Sequence, residues 1–404
     1  MILLTLADLE AKVAPDAEKA TLSLLDGISH DFCFSSRIEE MLVLERTIDR
    51  HPDHALAHYL LGNLLYDRRR HTEAIEAWER ASAFEPGHAT VWRNLGIAHF
   101  NIRKDVDAAV SSFDRAFAID RDDGRILYER DQLWKRTGRS PEHRLAELLK
   151  QHILVELRDD LSVELASLYN QLNEPEKALQ LILKRRFQPW EGGEGLVLTQ
   201  FVRAELLLGR SALASENPRD ALEHFLRALN PPLNLGEAKH LLVNQSEVFF
   251  WLGRAYNALG QETEAKKYYD KAVRQRGDFQ QMSVRTISDM TFWSGLALQQ
   301  LGSTEEATQL FVEIREFAET VEKATPKIEY FATSLPAMLL FEDDLEKRNG
   351  INATFLKAQA LYGLGQVAAS EKLLRHVLEQ DANHSGAHDL LALCASLGEK
   401  AGQR

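Results

Sequence analysis

Cysteine is nearly absent from this 404-residue sequence, which contains only Cys33 and Cys394. The two residues lie near opposite ends of the chain, so a disulfide would require those ends to meet at close range. Unpaired thiols are typical of proteins in a reducing compartment. We therefore expect two free cysteines and a cytoplasmic protein.

An excess of positive charge and a long apolar run are also missing. The sequence has 48 Lys and Arg against 61 Asp and Glu, a net charge of −13. Phosphate backbones and anionic membrane surfaces bind basic stretches, so we expect neither nucleic acid nor membrane as a partner. No run approaches the roughly 18 apolar residues of a membrane-spanning helix. The first residues, MILLTLADLEAK, lack the basic start of a signal peptide.

Catalytic and cofactor-binding motifs are missing as well. The sequence contains no P-loop, no HExxH, no CxxC pair and no GxSxG. His51, His54 and His58 fall in predicted turns and on exposed helix faces, without cysteine or carboxylate ligands at metal-binding spacing. We predict no catalytic residue, no metal and no cofactor, and hence a protein that is not an enzyme.

The clearest positive signal is the stretch 55–88, which reads as two antiparallel helices. Small residues stand where the two helices would cross, and large apolar residues stand beside the crossing, which is how helix pairs pack closely. The positions concerned are Leu61, Gly62, Leu65, Ala74, Trp78, Ala81 and Pro86. We predict a helix pair here that needs neighbouring pairs to bury its apolar faces.

The same pattern recurs along the chain. The next unit, 89–123, has one extra residue in its internal turn, and the third, 124–150, carries Arg130 and Asp131 where the first two have Leu-Gly. We expect these two charges to be paired locally, because charges at a helix crossing are costly when left unpaired. Later units cover 159–190, 202–233, 246–279, 288–321 and 351–384, and we expect close helix crossings at Gly62, Gly96, Gly209 and Gly253.

These positions resemble the tetratricopeptide-repeat family, whose period is about 34 residues, over roughly 330 residues in about eight units. The resemblance implies an all-α fold, a right-handed α-solenoid of helix pairs with capping helices at both ends, and a role in protein–protein interaction. A weaker resemblance joins the runs AHYLLGNLLYD, WRNLGIAHFN, LYERDQLWKR and QPWEGGEG. They are similar to the helical C-terminal part of large bacterial repeat proteins that carry an N-terminal β-sandwich domain.

The repeats and their interruptions divide the chain into five predicted segments. The two ends are a helical segment with a half-repeat cap and a capping helix with a polar tail. Between them lie the first three units, a stretch interrupted by PWEGGEG and NPPLNLGE, and a C-terminal array with a long connection at 322–350. In chain order these segments are 1–54, 55–150, 151–245, 246–384 and 385–404.

The face of the first helices opposite the crossings is the main candidate binding surface. Aromatic rings supply contact area, and asparagine amides can hold a peptide backbone from both edges. Arg93 and Arg125 would make this groove locally positive and favour an acidic partner segment. The alternatives are that these residues merely form good repeats, or that the N-terminal segment fills the groove. The candidate residues are Tyr59, Asn63, Tyr66, Arg93, Asn94, Phe100, Asn101, Arg125 and Tyr128.

A second candidate is the glycine-rich loop that contains Trp190, Glu191 and Glu194. A tryptophan can stack on a sugar ring, and two carboxylates can accept hydrogen bonds from hydroxyl groups. The other reading is that Trp190 packs on the preceding repeat while the glycines form a turn. We therefore predict a non-catalytic scaffold for a protein or peptide, compatible with a homo-oligomer. The alternative is a carbohydrate-associated protein that is part of a larger assembly.

Overall fold

The structure, a computed structural model, describes residues 1–28, 30, 33–190, 192–275, 277–280, 283–326 and 340–402. Apart from short helical turns and one two-stranded antiparallel hairpin, β1 (Asp278–Gln280) with β2 (Ser283–Arg285), the regular elements in these ranges are α-helices. Most helices pack on the helix that is next, or next but one, in the chain. The predicted all-α solenoid is therefore confirmed.

The helices alternate with short connections along the chain. Their bounds are α1 Ile2–Glu10, α2 Pro15–Ser23, α3 Ile38–Arg50, α4 Ala55–Asp67, α5 His71–Phe84, α6 Ala89–Ala98, α7 Val106–Ile119, α8 Gly124–Arg136, α9 Pro141–Lys150, α10 His152–Leu157, α11 Asp159–Gln171, α12 Pro175–Lys184, α13 Leu196–Ala214, α14 Pro218–Leu229, α15 Ser246–Ala258, α16 Glu262–Arg274, α17 Thr291–Gln300, α18 Thr304–Lys323, α19 Leu345–Gly363, α20 Val367–Gln380 and α21 Ser385–Gly402. Short 3₁₀ turns lie at Leu24–Gly27 and Leu233–Leu235, and a π-helical turn lies at His99–Arg103.

Contacts between residues divide the described chain into two units. The first unit contains Met1–Leu133 together with Leu340–Glu342, and the second contains the rest. Leu340–Glu342 thus belongs with helices that precede it by more than two hundred residues, as its hydrogen bond to Asn101 across a separation of 239 positions illustrates.

The predicted helix crossings are confirmed at all four glycines. A methyl group added at any of them would collide with an aromatic ring on the paired helix, so glycine is what permits the close approach. The distances from such a Cβ atom are 2.5 Å to Trp78 at Gly62, 2.5 Å to Phe113 at Gly96, 2.3 Å to Phe225 at Gly209 and 2.4 Å to Tyr269 at Gly253.

The degenerate third unit keeps its charges inside. The Nε atom of Arg130 lies 3.0 Å from Oδ1 of Asp114, and its guanidinium lies 4.9 Å from the ring centre of Phe117. Asp131 is completely buried. The local pairing that we predicted is therefore confirmed for Arg130.

The second unit contains a buried ionic cluster around Glu164. This carboxylate accepts hydrogen bonds from Lys135 at 3.0 Å and from Arg144 at 2.8 Å. Arg144 is fully buried and also donates to Oδ1 of Asn383 at 2.7 Å. Burial alone would raise the pKa of Glu164, but the two cations outweigh it and lower the pKa to about 2.

Candidate functional site

The predicted groove residues of the first unit lie on α4, α6, the π-helical turn and α8. They do not all lie on its surface. Tyr59 is only 2% exposed and belongs to the apolar core, with its ring 4.7 Å from that of His88. An anchor for a partner must be accessible, so the prediction for Tyr59 was wrong.

Asn63 and Asn94 are engaged with neighbouring side chains. Oδ1 of Asn63 accepts hydrogen bonds from Nε1 of Trp78 at 3.0 Å and from Nδ2 of Asn94 at 3.1 Å. Oδ1 of Asn94 in turn accepts a hydrogen bond from Arg93 at 3.2 Å. The Asn63 carbonyl and the Asn94 amide nitrogen therefore connect the first helix pair to the second, a role different from the backbone pairing that we expected.

Arg93 extends this chain of contacts to α8. It forms two hydrogen bonds to the Glu129 carboxylate, at 2.5 and 2.6 Å, and both side chains are largely buried. We call Asn63, Trp78, Arg93, Asn94 and Glu129 the polar ladder. Because Glu129 neutralises Arg93, this arginine does not give the groove the positive character that we expected.

The remaining predicted residues on α4 and α8 are partly accessible. Arg125 is exposed, and its guanidinium lies 3.5 Å from the carboxylate of Asp123. Tyr128 is half-buried. Tyr66 is half-buried too, and its ring lies 5.2 Å from that of Trp78. Burial raises the pKa of the Tyr66 phenol, and a hydrogen bond with Asn101 opposes that shift.

The extra residue in the second unit has a structural consequence at its internal turn. After α6 the backbone continues as the π-helical turn His99–Arg103 and then reverses at Lys104, whose φ of 54° is left-handed. A π-helical turn accommodates an additional residue in a helix, and such turns occur frequently at functional sites. This turn contains Phe100 and Asn101, two of the predicted binding residues.

Asn101 pairs with a polypeptide backbone from both edges of its amide. Its Nδ2 donates to the carbonyl oxygen of Leu340 at 2.9 Å, and its Oδ1 accepts from the N–H of Glu342 at 2.9 Å. The predicted chemistry is therefore present at Asn101, with a segment of the same chain in the place of a partner. The segment that occupies this place is Leu340–Glu342 and not the N-terminal segment that we considered.

Phe341, which lies between those two backbone contacts, is 1% exposed. Its ring packs edge-on against Phe100 with ring centres 5.2 Å apart, and lies 5.7 Å from the ring of Phe113. Glu342 extends outward, where its carboxylate lies 2.5 Å from Nζ of Lys104. We call Tyr66, Phe100, Asn101, Lys104 and Phe113 the Asn101 site.

Sequence reasoning missed Leu340–Glu342, Lys104 and Phe113 as parts of this site. Phe113 lies at the helix crossing beside Gly96, and Lys104 follows the turn without any motif. The available signal was the unusually long connection 322–350, which contains a phenylalanine followed by acidic residues at 341–344. The pairing across 239 positions leaves no periodic trace in the sequence.

The loop around Trp190 is attached to the next irregular connection of the second unit. The N–H of Phe187 donates to the carbonyl of Asn234 at 2.9 Å, and the side chain of Asn234 donates back to Arg185 at 2.8 Å. Glu237 accepts from the N–H groups of Gly195 and Leu198, which begin α13. The two interruptions predicted separately thus form one joint structure.

Trp190 itself is half-buried and packs on the apolar core of this part of the chain and against Gly193. Glu194 is exposed, and Glu191 lies outside the described residues. The cavity beside Trp190 has a volume of about 30 Å³. That is close to the volume of one water molecule in the liquid and far below that of a sugar ring, so the cavity does not favour the carbohydrate alternative.

A larger cavity of about 680 Å³ lies in the second unit, between the ends of α16 and α17 and the outer face of α18. Its lining includes the apolar side chains of Ile287 and Leu310 and the exposed carboxylates of Glu305, Glu306 and Glu313. Exposed carboxylates are also common on ordinary helix surfaces.

The described part of the chain contains neither a candidate membrane-spanning helix nor a candidate metal cluster. None of its helices combines the length and the apolar content that a bilayer crossing requires. The same residues include no group of three or more histidine, cysteine, aspartate or glutamate side chains placed to hold a metal ion.

Comparison with known proteins identifies two stretches. Residues 43–85 and 246–279 each match a tetratricopeptide-repeat family. The human protein O-mannosyl-transferase TMTC3 is 29% identical over 110 residues, which are 27% of this chain and 12% of that protein. The chain therefore spans only a small part of that relative.

Solved structures of low sequence identity are also similar. The structure of Naa15/Naa10 bound to HypK-THB has 14% identity and a TM-score of 0.41, and the match covers 89% of this chain and 58% of that one. A tetratricopeptide repeat protein from Parabacteroides merdae has 16% identity and a TM-score of 0.37, with 67% of this chain and 91% of that one covered.

Proposed function

We propose that this chain, in which two stretches match tetratricopeptide-repeat families, is a non-catalytic scaffold whose first unit binds a non-helical segment of a partner protein. One observation carries the proposal. Asn101 forms hydrogen bonds to a backbone carbonyl and a backbone N–H on either side of Phe341, at 2.9 Å each. These bonds recognise polypeptide as such, whatever its side chains are.

The other residues of the Asn101 site add selectivity to this backbone recognition. Phe100 and Phe113 surround one aromatic ring, and an aromatic side chain supplies a large contact area at little entropic cost. Lys104 lies at the rim and can pair with a carboxylate. An acidic partner segment thus remains part of the proposal, with Lys104 as the cation in place of Arg93.

The polar ladder positions this site. Its hydrogen bonds connect α4, α5, α6 and α8, and they hold the helices from which Tyr66 and the π-helical turn project. Asn63, Arg93 and Asn94 therefore support binding indirectly, while Asn101 and Phe100 contact the bound segment. Arg125 and Tyr128 remain candidates for contacts beyond the Asn101 site.

The proposal is tested by peptide display against the full chain carrying Phe341→Ala, which removes the ring that fills the site. We expect enriched peptides that bind this variant and lose binding when Asn101→Ala is added, while the two variants have similar melting temperatures. A matched control is Asn234→Ala, which lies in the second unit and should leave peptide binding unchanged. Peptides that bind equally well with and without Asn101 would refute the proposed site.

A reducing compartment is a further proposal, supported by the state of the thiols. Both cysteines are free, and burial raises the pKa of Cys394 to about 11, so its reactive thiolate is scarce near neutral pH. Fractionation of the source cells, followed by thiol labelling of the protein, tests this proposal. Recovery of an oxidised Cys33 would contradict it.

A further inference from the structure

The segment that fills the Asn101 site is short and lies in the long connection between α18 and α19. Among the described residues of this connection, those that belong to the first unit are Leu340, Phe341 and Glu342. Within the described part of the chain, their contacts with the site include two backbone hydrogen bonds to Asn101, one buried ring and one carboxylate. Each of these features could equally be supplied by a segment of another protein.

The charged contact of the segment is weak, and the aromatic contact dominates. The side chains of Lys104 and Glu342 are 64% and 62% exposed, and ion pairs this exposed contribute little. Phe341 is by contrast buried between two rings. Occupation of the site by its own chain therefore depends mainly on one side chain, which makes exchange for an equivalent ring feasible.

From these contacts, and resting on the proposed function, we infer that Leu340–Glu342 is an internal ligand of the Asn101 site, and that the external partner carries an aromatic residue followed by an acidic one and competes with it. This competition sets the minimum affinity or concentration that a partner needs in order to bind. A tethered segment has a high effective concentration that is set by the length of its linker, so only a tight or abundant partner can displace it.

The effect of the internal segment can be expressed as the ratio of the apparent to the intrinsic dissociation constant of the partner. The apparent dissociation constant of a competing peptide is the intrinsic constant divided by the fraction of molecules whose site is open. When the internal segment occupies the site in nine molecules out of ten, the intact chain binds about ten-fold more weakly than a chain whose segment is disabled. Removal of Phe341 should reveal this difference.

The experiment uses a fluorescein-labelled peptide of residues 336–346, PAMLLFEDDLE, and fluorescence anisotropy. It is titrated with the intact full-length chain and with the Phe341→Ala variant. We expect saturable binding to the variant that is at least about ten-fold tighter than binding to the intact chain. The same peptide with its phenylalanine replaced by alanine, and a scrambled peptide, should not bind either protein.

A second variant covers the case in which Phe341→Ala does not fold. Glu342→Lys places a like charge against Lys104 at an exposed position, so the core is untouched and the melting temperature should stay constant. This variant should bind the labelled peptide about two- to five-fold more tightly than the intact chain, as expected from an exposed charge contact. Glu346→Lys, which reverses a charge four residues along, is the matched control and should leave the affinity unchanged.

Equal binding of the peptide by the intact chain and by both variants would overturn the inference, and so would the absence of binding to all three. These failures are distinguishable from failure of the proposed function. If displayed peptides without an aromatic-acidic pair still require Asn101, the binding site stands and the internal-ligand inference falls. If no peptide of any kind requires Asn101, both fall.

Discussion

Asn94 and Asn101 lie seven positions apart on one helical stretch and have identical side chains, but their neighbours give them different roles. Asn94 donates to Asn63 and accepts from Arg93, so its hydrogen bonds remain inside the array. Asn101 lies on a π-helical turn, and its hydrogen bonds hold a distant backbone. The sequence predicts the amide and the face of the helix. It does not predict the bonding partner, because that partner is hundreds of residues away.

Glycine at a helix crossing is the residue-scale feature that the sequence predicts best, and Gly253 tests it. Gly253→Leu forces a side chain into the ring of Tyr269, since even a Cβ atom would lie 2.4 Å from it. We expect the free energy of unfolding to fall by about 1–3 kcal/mol in chemical denaturation.

The control for this substitution is Gly350→Leu. Gly350 is also inside a helix, but an added Cβ atom would meet nothing within 4 Å. Leucine has a better helix propensity than glycine, so this variant should be neutral or more stable by roughly 0.5–1 kcal/mol. Equal destabilisation by the two substitutions would contradict the crossing at Gly253.

Glu164 makes the free energy of unfolding depend on pH. Burial would raise its pKa, but Lys135 and Arg144 lower the pKa from 4.5 to about 2 in the folded state. A lowered folded-state pKa stabilises the fold above the unfolded-state value, and this contribution is lost as the pH falls from about 4.5 towards 2. Glu164→Gln removes the charge and leaves Arg144 buried beside a neutral amide.

We expect Glu164→Gln to cost about 3–5 kcal/mol at pH 7, the usual effect of breaking a buried ion pair. The difference in unfolding free energy between the original protein and the variant should shrink when both are measured at pH 3. Glu223→Gln, an exposed glutamate, is the control and should change stability little at either pH. A pH-independent difference for Glu164→Gln would show that its charge is not what stabilises the cluster.

At the scale of elements, the helix pairs are predictable because their pattern of small and large residues is local and periodic. The π-helical turn was visible only as one extra residue in a loop, and its backbone geometry depends on how α6 and α7 continue to pack around it. The two irregular connections were also visible separately. The hydrogen bonds of Asn234 and Glu237 that join the two connections could not be predicted, because hydrogen bonds between loops follow no sequence period.

Glu237 holds this joint structure together, because it accepts hydrogen bonds from Gly195 at 2.7 Å and from Leu198 at 3.3 Å, where α13 begins. Glu237→Ala should therefore cost about 0.5–2 kcal/mol, like the loss of a helix N-cap. Hydrogen–deuterium exchange of residues 195–198 should accelerate in the same variant.

The neighbouring carboxylate provides the control for Glu237. Glu194 lines the same small cavity but is exposed. Glu194→Ala should leave both the unfolding free energy and the exchange of α13 unchanged. If Glu194→Ala rather than Glu237→Ala destabilises the helix start, the capping role has been assigned to the wrong residue.

At the scale of the whole molecule, one segment belongs to a structural unit that is distant from it in the sequence. Leu340–Glu342 belongs to the first unit by its contacts, although the chain on its far side enters α19 of the second unit. A repeat array is normally built from contacts between successive repeats. This long-range exception is why the fold could be predicted from the repeats while the occupant of the Asn101 site could not.

The central claim is that the Asn101 site exchanges its own segment for one from a partner. The N–H of Glu342 reports this exchange directly, because it donates to Asn101 in the occupied state. Hydrogen–deuterium exchange of residues 340–344 should be slow in the full chain alone and accelerate when the unlabelled peptide 336–346 is added at saturating concentration. Exchange that stays equally slow with the peptide bound would contradict the account.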